Sequence, residues 1–205
     1  MEINKLLTRT LSKTPTNSLR NSEHDQRTMM VTSRFNNVEG LITKANVDTQ
    51  VYFAQREELA VMGDFPTLAE VNNAFGNNAS AQWLSVQLAD LTLYTGAKNI
   101  NKRQQDQLAQ IITAQFYWMK ISELLLFFHR FKSGRYGHFF GNVDPLVIME
   151  ALRTFVAERN DIIHDVEERE RKEREAAEQR ENPPISYEEW KRIKAEKEKN
   201  AHKAT

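Results

Sequence analysis

Between His129 and Phe140 the chain reads His-Arg-Phe-Lys-Ser-Gly-Arg-Tyr-Gly-His-Phe-Phe, five basic or ionisable groups interleaved with aromatic rings. Cations that neutralise phosphate beside rings that stack on bases are what a nucleic-acid contact requires. Arg130, Lys132, Arg135, Tyr136 and His138 are therefore candidate contacts to nucleic acid or to a protein. The same stretch has a purely structural reading, in which Phe139 and Phe140 plug the core, the glycines allow a tight interhelical turn and Arg135 is simply exposed. A second candidate surface lies near the C terminus. Ile185-Ser-Tyr-Glu-Glu-Trp190 combines a Ser/Glu capping box with an Ile/Trp pair at hydrophobic-staple spacing, which predicts a short helix from Ser186. Tyr187, Trp190 and Ile193, with Lys191 and Lys194, give that helix a small aromatic face. Such a face serves either to dock a protein partner or to fold back onto the body of the protein.

The only constellation that points to catalysis is Arg159-Asn-Asp-Ile-Ile-His164. It resembles the Arg-Asn-xxx-His pattern of the helical ribonucleases of the higher-eukaryote-and-prokaryote nucleotide-binding family. That resemblance implies metal-independent RNA cleavage, with His164 handling the proton and Arg159 the phosphate. On one straight helix, positions five apart are separated by roughly 140°, so ordinary surface placement accounts for the two residues equally well.

Other chemistries find no support. The five histidines have no paired ligand spacing and there is no His-Glu-x-x-His run, so no metal is expected. A phosphate loop ending in Gly-Lys-Ser/Thr and a nucleophile elbow are both missing, and no cofactor is implied. With no cysteine, disulfide frameworks and thiol catalysis are excluded; a reducing compartment is compatible with that composition. Twenty-eight basic residues balance 28 acidic ones, so any attraction for nucleic acid must come from a local patch rather than a global field. No apolar run is long enough for a signal peptide or a membrane span, and the expected location is the cytoplasm.

The elements that must position these residues are all helical. Residues 1–49 are rich in Ser, Thr, Asn, Lys and Arg without apolar period, and read as a disordered arm. Residues 50–165 read as the helical core domain. Within it, Val51–Met62 forms a first helix and Thr67 with Glu70 caps a second. Ser80 caps a third, carrying Trp83, Leu84, Leu88, Leu91 and Tyr94 on its core face and ending at Gly96. Asn101 and Gln104 open the longest apolar pattern, continuous to Phe131 and nearly encircling the helix after Ile121. Three glycines between Gly134 and Gly141 break it, and Asp144-Pro145 starts the next helix. That helix should run past His164 as a solvated charged extension over 166–181, supported by pairs such as Glu167 to Arg171 and Glu168 to Lys172. Asn182-Pro-Pro184 stops it, leaving 182–205 as linker, mini-helix and tail. The fold class is thus all-α: a compact helical bundle with a disordered N-terminal arm and a long charged C-terminal helix.

Arg130-Phe-Lys-Ser-Gly-Arg-Tyr-Gly-His-Phe-Phe-Gly-Asn-Val-Asp-Pro145, extended by Ala151-Leu-Arg-Thr-Phe155, resembles part of an uncharacterised family of small helical proteins from phage and mobile elements of Bacteroidetes. The likeness is strongest from Lys120 to Asn160 and weaker from Pro66 to Asp165. Its plan, a helical domain followed by a charged helix and a short aromatic element, is similar to replication accessory proteins that recruit or load a helicase. That family carries no established activity, and the function expected from the residues is a non-enzymatic adaptor, with Tyr187, Trp190 and Ile193 engaging a protein and the 130–140 loop a nucleic acid or protein; the alternative is the metal-independent ribonuclease of Arg159 and His164.

Overall fold

A computed structural model of the chain describes residues 15–96, 100–137, 139, 141–181 and 186–203, with side chains described for 24–96, 100–137, 139, 141–181 and 186–196. Among the described residues ten helices follow one another: α1 (Pro15–Phe35), α2 (Val38–Lys44), α3 (Thr49–Ala54), α4 (Glu57–Met62), α5 (Leu68–Phe75), α6 (Ala79–Thr95), α7 (Lys102–Gln115), α8 (Ile121–Lys132), α9 (Pro145–Glu181) and α10 (Tyr187–Lys203). The fold is all-α, and among the described residues the only β pairing is one isolated bridge between Thr67 and Lys120. The chain divides into two compact units, 1–162 and 163–205.

In the first unit α8 is the centre. Ile121 to Phe128, Arg130 and Phe131 are all buried, so the helix is enclosed on nearly every side. Helices α3, α4 and α6 pack on it, while α7 and α5 pack on α6. Phe127 is the hub of its aromatic side, with Phe128, Phe131, Tyr136 and Phe155 at centroid distances of 5.2 to 5.9 Å. Edge and offset contacts of this kind stabilise by about 0.5–1.5 kcal/mol beyond simple burial.

Three boundaries differ from those expected. The region 1–49 is helical from Pro15, and Val31, Phe35, Leu41 and Ala45 belong to the core. Helix α1 packs on α5 and α2 packs on α6. The apolar residues of this stretch are too sparse to set a period, yet each meets a surface presented by a distant helix. Trp83 fixes the same region from the other side, its indole N–H donating to the Ala45 carbonyl at 2.8 Å. Residues 1–14 lie outside the described residues. The single helix expected over Val51–Met62 is two, α3 and α4, separated by Gln55 and Arg56.

The long pattern from Asn101 to Phe131 is also two helices. Its apolar spacing is compatible with one helix, but the carbonyls of Tyr117 and Met119 accept the N-terminal amides Ala69 and Leu68 of α5, at 2.9 and 3.0 Å. Ile121 N–H in turn donates to the Pro66 carbonyl at 2.9 Å. Helix α5 therefore satisfies its exposed N-terminal amides by interrupting its neighbour. Local capping persists at two starts, where Thr67 and Glu70 form a full box at α5, as do Asn101 and Gln104 at α7, whereas Ser80, expected as a cap, lies inside α6, which starts after Asn78. Tyr94, expected on the core face of α6, is exposed, beyond the last buried turn at Leu91 and Thr92.

The extent of the core gives the first prediction. Leu41 is wholly buried, so Leu41→Ala should lower the unfolding free energy by ~2–5 kcal/mol. Urea denaturation followed by circular dichroism measures this; an unchanged midpoint would place α2 outside the cooperative unit.

Candidate functional site

The basic side chains of the 130–137 segment turn out to be drawn onto acidic groups from three other helices. Arg130 comes from the last turns of α8 and is only 5% exposed. Its guanidinium contacts Glu57 at the start of α4 (2.7 Å) and Glu158 on α9 (2.7 Å), and lies over the Phe155 ring. The turn after α8 then brings two further donors to Glu158. Arg135 Nε reaches Oε1 and the Tyr136 hydroxyl donates to Oε2, each at 2.8 Å. The turn can do this because Gly134 and Gly137 take φ of 84° and 89°, the left-handed region that a side chain disfavours. Tyr136 also stacks on Phe127, and Phe139 stacks on Phe131.

Lys132 points elsewhere. Its ammonium pairs with Asp90 of α6 and donates to Gln50 Oε1 at 2.9 Å. Gln50 continues the chain to Gln87 at 2.7 Å, and Gln87 donates to the Ala45 carbonyl at 3.2 Å, both within the core. Of the candidate contacts, only Arg135 has its side chain half exposed. His138 and Phe140 lie outside the described residues.

Arg159, the catalytic alternative, is engaged by a carboxylate that sequence reading passed over. Glu123 of α8 is 0% exposed, and its Oε1 accepts from Arg159 Nε at 2.5 Å. The other oxygen accepts from the Lys120 amide at 2.8 Å, capping α8. The Lys120 ammonium is itself tied to the carbonyls of Val61 and Gly63, at 2.7 and 2.8 Å. Arg159 lies over the Trp118 ring, 5.0 Å from its centroid. His164, further along α9, is exposed. Arg159 thus pairs with a buried acid. Among the described residues no group of three or more possible metal ligands is assembled.

Glu57, Asp90, Glu123 and Glu158 are the functional partners that sequence reading missed. The available signal was Glu123 itself, an acid inside an apolar run, since a charge enclosed on all sides must find an opposite one. Among the described residues every buried side-chain nitrogen and oxygen has a partner.

In the second unit, the later part of α9 carries the ion pairs Glu168–Lys172 at 2.8 Å and Arg171–Glu175 at 3.4 Å. In α10, Ser186 Oγ accepts the Glu189 amide at 3.2 Å, which is the cap that fixes its start; Ile185 lies outside the described residues. The rings of Tyr187 and Trp190 stack with centroids 6.0 Å apart, and the Lys194 ammonium sits over Trp190 at 5.3 Å. Tyr187, Trp190 and Ile193 share one face, and all three are exposed, Trp190 by 46%.

The molecule is therefore an all-α protein in which, among the described residues, the buried polar side-chain atoms are all partnered and Tyr187, Trp190 and Ile193 of the last helix are exposed. By sequence comparison the chain belongs to the family of unknown function DUF6633, which matches residues 99–201. That span takes in α7, α8 and α9, and α10 as far as Ala201. No curated protein matches the chain, and no solved structure matches it. No described helix is long and apolar enough to cross a membrane.

The half-buried Glu158 and the buried Glu123 respond to pH with opposite signs. Burial pushes Glu158 up, but the hydrogen bonds from Tyr136 and Arg135 and the charges of Arg135 and Arg130 outweigh it, leaving the group below its ordinary value of 4.5. Its contribution to stability is present above that value and lost as pH falls through the lower folded one. Burial also dominates at Glu123, and there the Lys120 amide and Arg159 do not overcome it, so the group sits above 4.5. Its contribution is present below 4.5 and lost as pH rises through the raised value. Glu158→Gln should accordingly flatten the acid limb of a stability-against-pH curve, and Glu123→Gln should flatten the limb above it. Arg130→Ala should cost ~1.5–3 kcal/mol at neutral pH, because it removes the charged hydrogen bonds to Glu57 and Glu158 while Glu158 keeps Arg135 and Tyr136. Urea titrations across the acid-to-neutral range measure all three; identical curves for wild type and variants would contradict the assignment.

Proposed function

We propose that this protein is a non-enzymatic adaptor that engages a protein partner through the aromatic face of α10. The observation that carries the reading is the exposure of Tyr187, Trp190 and Ile193 together on one capped helix. Aromatic anchors flanked by charge are the composition of an interface centre, and stacking holds two of them in place before binding. The engagement of Arg130, Lys132 and Tyr136 with acids of the body favours this reading over nucleic-acid binding by the 130–140 loop. The Glu123–Arg159 pair likewise favours it over RNA cleavage by Arg159 and His164.

The setting we assign is the cytoplasm, and within it an accessory role in replication of a mobile element. What supports this is the order of parts: a helical body, a charged helix and an aromatic helix, as in proteins that bring a helicase to its site. The absence of cysteine fits a reducing compartment.

The test is affinity capture from the native host with wild type and with the Tyr187→Ala, Trp190→Ala double variant. A protein recovered by wild type would be identified, purified and titrated against both forms. Loss of two interface anchors should weaken binding at least ~30-fold. Equal affinity for the two forms would refute docking by this face.

A further inference from the structure

On α10 the aromatic rings share their side of the helix with cations. Measured from Trp190, Lys194 stands about 40°, Tyr187 about 60° and Lys191 about 100° round the axis, with Ile193 about 60° the other way. The glutamates take the remaining arc. Glu189 and Glu196 stand about 100° and 120° from Trp190 on the Ile193 side, and Glu188 about 160° away, with Arg192 among them. The helix is therefore polarised across its axis, cationic and aromatic on one side and mainly acidic on the other.

Contacts within the helix show the same arrangement. The Tyr187 and Trp190 rings stack, and the Lys194 ammonium lies 5.3 Å from the Trp190 centroid, so the charge sits on the ring pair itself. In α9 the ammonium of Lys172 finds Glu168 four residues before it. At the same spacing Lys191 and Lys194 find Tyr187 and Trp190 instead, and among the described residues neither has a carboxylate partner.

We propose that this side of α10 docks on an acidic protein surface, its rings seated in an apolar depression and carboxylates of the partner meeting Lys194 and Lys191. The inference rests on the reading of α10 as a docking helix and names the chemistry of its partner. Covering Trp190 and Tyr187 also covers Lys194, which stands between them on the wheel. A cation taken out of water needs an opposite charge, and without one its desolvation outweighs what burial of the rings gains. A wholly apolar slot does not meet that requirement.

The two other anionic surfaces fit less well. A bilayer offers no anion at the depth of the rings, and Tyr187, Trp190 and Ile193 are too few to bury much area in it. A nucleic acid sets phosphates along its whole length, and Glu189, about 40° round from Ile193, would face them. Over 163–205 acids slightly outnumber bases, so no field draws a polyanion to this unit. A protein partner can place single carboxylates where the two lysines are and leave the acidic side of the helix in water.

The probe is a phage-displayed library of random linear peptides, selected against the full-length protein. Recovered peptides are expected to combine Asp or Glu with aliphatic or aromatic residues. The tightest is synthesised and titrated by calorimetry against wild type and four double variants whose helicity is verified by circular dichroism. Lys191→Gln, Lys194→Gln should weaken binding at least ~tenfold and Tyr187→Ala, Trp190→Ala at least ~30-fold. Lys191→Arg, Lys194→Arg keeps the charges and Glu188→Gln, Glu196→Gln alters the far side, so both should stay within about threefold of wild type. A selection that returns only neutral or basic peptides, or none, overturns the proposal. So does tighter binding, through the same rings, to random-sequence duplex DNA or to vesicles of phosphatidylcholine and phosphatidylserine. If loss of the rings weakens binding and loss of the lysine charges does not, docking by α10 stands and its acidic partner falls. If neither changes the affinity, the peptide binds away from α10 and both readings fall.

Discussion

A helix enclosed on nearly every side cannot carry a charge unless the rest of the protein supplies its opposite, and α8 carries three. Glu123, Arg130 and Lys132 all come from this helix. Their partners come from four directions: Arg159 and Glu158 on α9, Glu57 on α4, Asp90 on α6 and Gln50 on α3. Removing a partner from a buried pair costs far more than forming the pair gains, so these contacts act as constraints on geometry more than as sources of stability. They set which turn of α9 meets α8, and they require the glycine turn after Lys132 to bring Arg135 and Tyr136 onto Glu158. The aromatic cluster around Phe127 then fills what the charges leave.

This arrangement separates the protein into a body whose polar chemistry is consumed inside and surfaces whose apolar chemistry is not. Arg130 and Tyr136 have the composition of a contact loop but serve as internal fasteners. Among the described residues, Tyr187, Trp190 and Ile193 of α10 are instead exposed.

Much of the fold was readable from residue types. The capping boxes at Thr67 and Asn101, the stop at Gly96, the start after Asp144 and the cap at Ser186 are local signals, and local physics decides them. The misreadings share a cause, which is that tertiary partners outvoted local pattern. Residues 24–49 contain few apolar side chains, yet Phe35 and Leu41 are buried because α5 and α6 await them. The run from Asn101 to Phe131 keeps helical spacing through its own break, because the amides of α5 take the carbonyls at Tyr117 and Met119. At the candidate sites, the helix carrying Trp190 was legible from its Ser186 cap, but the choice between an exposed and a folded-back Trp190 was not. Nor was the burial of Arg130, since nothing near it in sequence names Glu57 or Glu158. Only the isolated position of Glu123 among apolar neighbours announced that a distant cation would be needed.

The claim at the centre is that the buried acid of α8 and the arginine of α9 exist for one another. A double-mutant cycle tests it directly, with Glu123→Gln, Arg159→Met, both together and wild type compared by urea denaturation at neutral pH. The account predicts that the two single changes each destabilise and that the double change costs less than their sum by ~1–3 kcal/mol. Strict additivity would mean that the pair, 2.5 Å apart, is incidental, and the constraint on which this description of the fold depends would be gone.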